Sequence, residues 1–243
     1  MLEYLSHFPR GRILTEISDE LGCPVSSAYR IAMALEDMEL VARDPETKQI
    51  RLTNKMLLTG QRALTESNLL ENSLDIMREL RDKVNDTVLL GVRDGTEVVV
   101  LDQVTGSRMF CFVAKLGYRI GVYCSAPGKA MLAVLPDKEL TEVIEAIKFH
   151  RYNERTIMTK EELRIELKRA VKNGYAFDNA EQFEGVYCTA APIFDRSGYP
   201  VAAIWATGLM MDIKRKDVPA LGVVIREHAD RISARLGYMN RGA

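Results

Sequence analysis

The sequence predicts an α+β protein: an N-terminal winged helix-turn-helix followed by a C-terminal α/β domain. Three observations predict it. Up to about Leu70 the 243-residue chain reads as short helices with brief punctuation. Within that stretch, two helices split by a glycine turn run into a strand, a turn and a strand. From Thr87 onward, β-rich runs alternate with helical ones.

Met1–His7 is helical and apolar at Leu2 and Leu5, and Pro9-Arg10-Gly11 breaks it. Leu14, Ile17 and Leu21 form one helical stripe, and Gly22 suits the left-handed residue that ends a helix. After Pro24 a second helix is expected over about Val25–Met38. Its buried stripe would be Val25, Ala28, Ile31 or Ala32, Leu35 and Met38, with Ser26, Ser27, Tyr29 and Arg30 facing away. Leu40–Arg43, Asp44–Lys48 and Gln49–Leu52 then have the length of a hairpin wing. Such a wing would sit near a DNA backbone, with the second helix in the major groove. Helical patterns continue over Asn54–Ser67 (Met56, Leu57, Gly60, Leu64) and over Leu69–Val84 (Leu70, Leu74, Met77, Leu80, Val84). The expected divisions are residues 1–53 for the winged helix-turn-helix, 54–68 for a linker helix and 69–243 for the second domain.

Composition excludes several classes. With 33 basic and 34 acidic residues, the chain is no indiscriminate nucleic-acid coat. The four cysteines are scattered without a C-x-x-C pair, and the three histidines form no metal signature, so neither metal nor disulfide framework is expected. The start has no leader character, and the weakly polar run Pro200–Met211 is too short to span a bilayer as a helix. A soluble cytoplasmic protein is the expectation. Residues 1–62 carry eight basic and nine acidic side chains, weak for a DNA-binding domain unless the acids lie on rear faces. A helical interaction domain that never meets DNA stays open on these grounds.

Within the first domain, Arg30 is placed to bind a guanine edge, and Ser26, Ser27 and Tyr29 to reach phosphates or bases. Arg43, Lys48 and Arg51 on the wing are further candidate contacts. The alternative for Arg30 is an ion pair with Asp19 or Glu20. Gly128-Lys129 fails the phosphate-loop pattern G-x-x-x-x-G-K-S/T, because Tyr123 and Ala130 stand at its outer positions. What remains is a turn opening a helix over Ala130–Leu135, where a small carboxylate would bind the backbone around Ala126 and Pro127. Asp178 and Cys188, which lies in the β run Val186–Phe194, would hydrogen-bond a ligand in a pocket; otherwise they are a turn carboxylate and a small buried hydrophobe. A thiol enzyme acting through Cys111, Cys124 or Cys188 has no base near it in sequence.

The chain resembles the IclR family of bacterial transcriptional regulators over nearly its whole length. The resemblance is carried by Leu14-Thr15-Glu16-Ile17 with Leu21-Gly22-Cys23-Pro24 and Ser26-Ser27-Ala28-Tyr29-Arg30, by Ser125-Ala126-Pro127-Gly128-Lys129-Ala130, and by Gly174–Asp178 with Gly185–Asp195. It implies operator-DNA binding by the N-terminal part, and a GAF-like C-terminal domain that binds a small carboxylate effector and forms a homodimer or tetramer, with no cofactor. A cytoplasmic sensor acting through protein contacts is the alternative. Carried over residue by residue, the effector pocket gathers Asp178, Cys188, Trp205 and Thr207, with apolar walls Met109, Phe112, Ile120 and Val186. The family's binders of very small keto acids tend to have serine at the places of Trp205 and Thr207. The indole either narrows the pocket or stacks on a planar or sugar-like ring, which points to a carboxylate with an apolar or ring portion; otherwise it faces outward or into the core. The family also has more residues ahead of the first helix, so that helix is expected to be short and loosely packed here.

Overall fold

The structure, a computed structural model, describes residues 1–65, 69–212 and 215–239, the side chains of 60–65 aside. The chain divides into two compact units, Met1–Ser67 and Asn68–Ala243.

The first unit is a winged helix-turn-helix. Helix α1 (Leu2–Ser6) is five residues long, yet Leu5 is buried in the unit's core, so the first helix is short but anchored. Helix α2 (Leu14–Leu21) ends at Gly22, left-handed at φ 59°, whose N–H turns back to Asp19 and Ser18. The Ser18 hydroxyl closes the turn on the Cys23 carbonyl at 2.7 Å. Helix α3 (Val25–Asp37) follows, then β1 (Val41–Arg43), β2 (Ile50–Leu52) and α4 (Asn54–Thr65). The last residues of the expected linker, 66–68, lie outside the described residues.

Leu5, Ile17, Ala32, Val41 and Ile50 form the core, with Leu14, Leu21 and Leu35 packed on it. Each large aliphatic chain so buried contributes about 1.5–3 kcal/mol. The expected stripe of α3 needs correction. Ala28 and Ala32 are buried, whereas Val25, Ile31 and Met38 are exposed. Small alanines let α3 approach α2 closely, and Val25 and Met38 overhang at the helix ends. Asp44 shapes the wing tip by accepting the N–H groups of Glu46 and Thr47 at 3.0 and 2.7 Å.

The second unit is a six-stranded antiparallel sheet in the order β5-β4-β3-β8-β7-β6, with helices on both faces. Its strands are β3 (Thr87–Asp94), β4 (Glu97–Val104), β5 (Arg119–Gly121), β6 (Ala176–Asn179), β7 (Val186–Phe194) and β8 (Pro200–Leu209). Side chains alternate across the sheet, as the period of two requires. Val88, Leu90, Ala191, Ile193, Ile204 and Ala206 meet α5 (Leu69–Val84) and α9 (Val218–Arg235) on one face. Leu89, Val98, Val100, Ala190 and Trp205 point to the other, under α6 (Ala126–Leu132), α7 (Asp137–Ala146) and α8 (Lys160–Asn173). The buried positions of α5 are Leu69, Ser73, Ile76, Met77 and Leu80, a stripe rotated from the expected one, in which Leu70, Leu74 and Val84 are half-buried.

Helix α6 begins four residues ahead of its expected start. Ser125 caps it by accepting from Gly128 N at 3.3 Å, so Pro127 sits in the first turn, where its missing N–H costs nothing. Gly128 lies inside the helix, where a Cβ would fall on the Cα and carbonyl oxygen of Val122. The glycine therefore serves close packing.

Candidate functional site

On the first unit, α3 presents Ser26, Tyr29 and Arg30 to solvent, with Ser27 half-buried. Arg30 has no hydrogen-bond or ion-pair partner among the described residues, and the alternative pairing with Asp19 or Glu20 is not made. A free guanidinium beside hydroxyls on an outward helix suits groove contact. The wing residues divide. Arg51 is exposed, while the Lys48 ammonium donates to the Pro45 carbonyl at the wing tip at 2.7 Å. Arg43 is only half-exposed, 3.8 Å from the Glu36 carboxylate with its guanidinium 5.4 Å from the centre of the Tyr29 ring. As placed, Arg43 ties the wing to α3 and fixes the Tyr29 ring.

On the second unit, strand register brings three of the expected effector residues into line. Asp178 on β6 pairs with Cys188 on β7, which pairs with Thr207 on β8. All three share the face under α6, and the Cys188 sulfur lies 3.3 Å from the Thr207 hydroxyl. Trp205, two residues along the same strand face, is 2% exposed within the apolar core. It occupies space left by Gly91, whose Cβ would stand 3.0 Å from the indole. Phe112 and Ile120 are half-buried against the same core, and Phe112 tilts on Phe183 with ring centres 5.8 Å apart. Val186 is half-buried opposite Leu209. Met109 is not a wall of this site, because it stands 92% exposed. Ala126 and Pro127 are buried at the start of α6. The serine cap takes Gly128 N and proline has no N–H, so Ala126 N is the first-turn amide left for a ligand.

Sequence reasoning missed the charged pair beside this line. Lys129 is 1% exposed and lies 2.5 Å from Glu181, which is 6% exposed. The loop carrying Glu181 is held by Asn153, which donates to the Ala180 carbonyl at 2.9 Å, and by Thr156, which donates to the Glu181 carbonyl at 2.7 Å. Glu181 N donates to Asp178 Oδ1 at 2.8 Å, linking pair and line. The signal was present in Lys129 itself, since a lysine inside an apolar run needs a buried acid.

Burial dominates the electrostatics. It pushes the Asp178 carboxyl from 3.8 up to about 7, helped by the neighbouring Glu181 charge and opposed by Lys129. Burial likewise raises Glu181, against the pull of Lys129. It pushes the Cys188 thiol well above its ordinary range and Cys124 up to about 12. These cysteines stay protonated near neutrality, the reverse of what a thiolate nucleophile requires. A protonated Asp178 donates a hydrogen bond, so the line offers donors to an oxygen-rich ligand.

The sign of the Asp178 shift gives a test. With a carboxyl raised to about 7, the native state keeps a proton that the unfolded chain has lost above 3.8. Stability therefore falls as pH rises through that window and levels off above it. Asp178→Asn, neutral throughout, should flatten this slope and exceed the parent in stability at pH 8. Urea midpoints at several pH values measure this; parallel slopes would remove Asp178 as their source.

A winged helix-turn-helix joined to an α/β domain with a buried polar line defines a DNA-binding protein of the ligand-responsive kind. Residues 61–234 match the model of the bacterial transcriptional regulator IclR C-terminal domain, and residues 1–45 that of the IclR helix-turn-helix domain. The chain belongs to the IclR family of bacterial transcriptional regulators. It is 29% identical over 225 residues to the HTH-type transcriptional regulator KdgR of Escherichia coli strain K12, covering 93% of this chain and 86% of that protein. To the transcriptional repressor IclR of the same organism it is 27% identical, covering 98% of this chain and 88% of that protein. The crystal structure of the Thermotoga maritima IclR matches with a TM-score of 0.72 at 31% identity, over 98% of this chain and 96% of that one. Relatives are named as regulators and repressors, not enzymes. No helix among the described residues is long and apolar enough to cross a membrane.

Proposed function

We propose that residues 1–53 bind a palindromic operator through α3, that 54–68 link, and that 69–243 bind a small carboxylate effector and form a cytoplasmic homodimer or tetramer. The effector's carboxylate takes hydrogen bonds from protonated Asp178, from the Cys188 and Thr207 side chains and from Ala126 N, and Trp205 bounds its apolar or ring portion. The observation that carries this is the Asp178–Cys188–Thr207 line, three hydrogen-bonding side chains in register on an apolar sheet face. An effector that prefers one arrangement of paired sensor domains changes the spacing of paired recognition helices, and half-sites one helical turn apart are sensitive to that spacing.

The effector test is a thermal-shift screen of glyoxylate, pyruvate, aromatic acids and sugar acids. Stabilisation by the larger acids is expected, and stabilisation by two-carbon acids alone would sink the ring-bearing ligand. Binding to Asp178 should also weaken as pH rises through about 7, where the carboxyl loses its proton. On the DNA side, Arg30→Ala should cost about 1–3 kcal/mol of operator affinity and relax one base position. Footprinting of the natural operator reads this, and unchanged protection would show that Arg30 does not read bases. Affinity for duplex should fall steeply with salt, whereas a sensor acting only through protein contacts would show no such dependence.

A further inference from the structure

A cavity lies at the edge of the sheet, and Asp178, Cys188 and Thr207 do not line it. It measures about 310 Å³ between α8, β6 and the start of α9, inside the usual range for small-molecule sites. Lys129 and Glu181 form its buried end. Glu181 uses one oxygen only. Oε1 accepts from the Lys129 ammonium and from Asn179 N, whereas Oε2 is buried with no partner among the described residues. A buried carboxylate oxygen without a donor is an uncompensated desolvation, and a donor from outside would relieve it.

The outer part of the cavity is cationic. Arg169 is neutralised by Glu166. Arg155 and Arg215 are exposed and have no carboxylate partner among the described residues. Among these residues Arg155 donates only to the Met210 sulfur at 3.5 Å, so two guanidinium groups without a carboxylate call for an anion, and carboxylate geometry suits them. The unpartnered oxygen at the other end repels an anion and calls for a donor. A plain carboxylate meets only the first demand. A molecule carrying a carboxylate and a hydroxyl meets both.

We propose that this cavity is a second ligand site, taking a small hydroxy-carboxylic acid with its carboxylate on Arg155 and Arg215 and a hydroxyl donating to Glu181 Oε2. The site stands apart from the effector site proposed above, and one hydrogen bond, Glu181 N to Asp178 Oδ1 at 2.8 Å, joins the two. A ligand held by Glu181 thus acts on the residue that holds Asp178.

The test uses the full-length protein with D-gluconate, which bears a hydroxyl on every carbon but the carboxylate's, and hexanoate, which has the same carbon count and no hydroxyl. Saturation-transfer NMR titrations give both dissociation constants. D-gluconate should bind at least tenfold more tightly than hexanoate. Arg155→Gln/Arg215→Gln should weaken D-gluconate at least tenfold, and by more than Asp178→Asn does. The arginines are exposed, so the double variant is expected to fold, and its melting curve checks this. Failure of D-gluconate to bind, or equal binding of hexanoate, would overturn the proposal. So would affinity that survives in the double arginine variant and vanishes in Asp178→Asn, an outcome that leaves the effector site standing and this one refuted.

Discussion

Replacing Gly128 with alanine should destabilise the C-terminal unit by about 3 kcal/mol, although residue 128 sits inside a helix. Helix propensity alone predicts the opposite sign, since alanine for glycine in a helix interior normally gains about 0.5–1 kcal/mol. Sterics decide the matter. A Cβ at 128 would meet the Cα and carbonyl oxygen of Val122 and stand 2.7 Å from its carbonyl carbon, well inside the 3.5–4.0 Å of ordinary carbon contact. The obstructing atoms are backbone, fixed by Val122 N donating to the Thr96 carbonyl at 3.0 Å, so no rotamer change relieves the clash. Either α6 lifts from the sheet or the Val122–Cys124 turn yields. Each loosens the layer that covers Asp178. Urea unfolding of the full chain measures the loss. A change below about 1 kcal/mol would mean that α6 and that turn are free to separate, and that the glycine is there for its backbone freedom instead.

The same helix shows where the sequence was legible and where it was not. Elements with a clean period were found almost to the residue. Val186–Phe194 is a strand with those ends, and Leu69–Val84 is a helix with those ends. Gly22 could be placed at the end of α2 because only a left-handed residue fits there, and the structure gives it φ 59°. At α6 the local signals pulled against each other. Pro127 and Gly128 read as punctuation, so the helix was expected from Ala130, but a serine cap with proline in the first turn is itself a helix start. Glycine's reason lay in Val122, six residues earlier and on another element, which no local pattern records.

For the candidate site, the polar line was legible from residue types joined to a resemblance, because strand pairing turns sequence-distant positions 178, 188 and 207 into neighbours. Met109 shows the limit: a position matched along the chain lies in a connection whose path the sequence does not fix, and it ends up in solvent. Arg43 shows another, since a basic wing residue is equally suited to phosphate and to the acidic end of α3, and here it lies near Glu36. Glu181 was invisible for a different reason. Its partner is 52 residues away, and nothing near it suggests a buried acid until Lys129 is known to be buried too.

That pair supports the second large prediction. Lys129→Met should cost about 3–5 kcal/mol near pH 8, because it leaves Glu181 buried and charged with no counter-ion. The loss should shrink toward pH 5. Lys129 is the principal group that lowers the Glu181 pKa against burial, so without it the carboxyl takes up a proton earlier and the uncompensated charge disappears. Lys129→Met/Glu181→Gln should recover most of the stability at pH 8, since replacing both members of a buried pair is far less costly than removing one. Unfolding of the parent, the single and the double variants at the two pH values measures the coupling. A single variant that loses under about 1 kcal/mol at pH 8, or a double variant no better than the single, would show that the two charges do not stabilise one another. The recovered double variant also separates structure from response. If the pair only fills space, effector should still shift the operator affinity of that variant as it does the parent's. If the charges of the pair help set the proton on Asp178, the variant should fold and hold DNA while the pH at which effector acts moves.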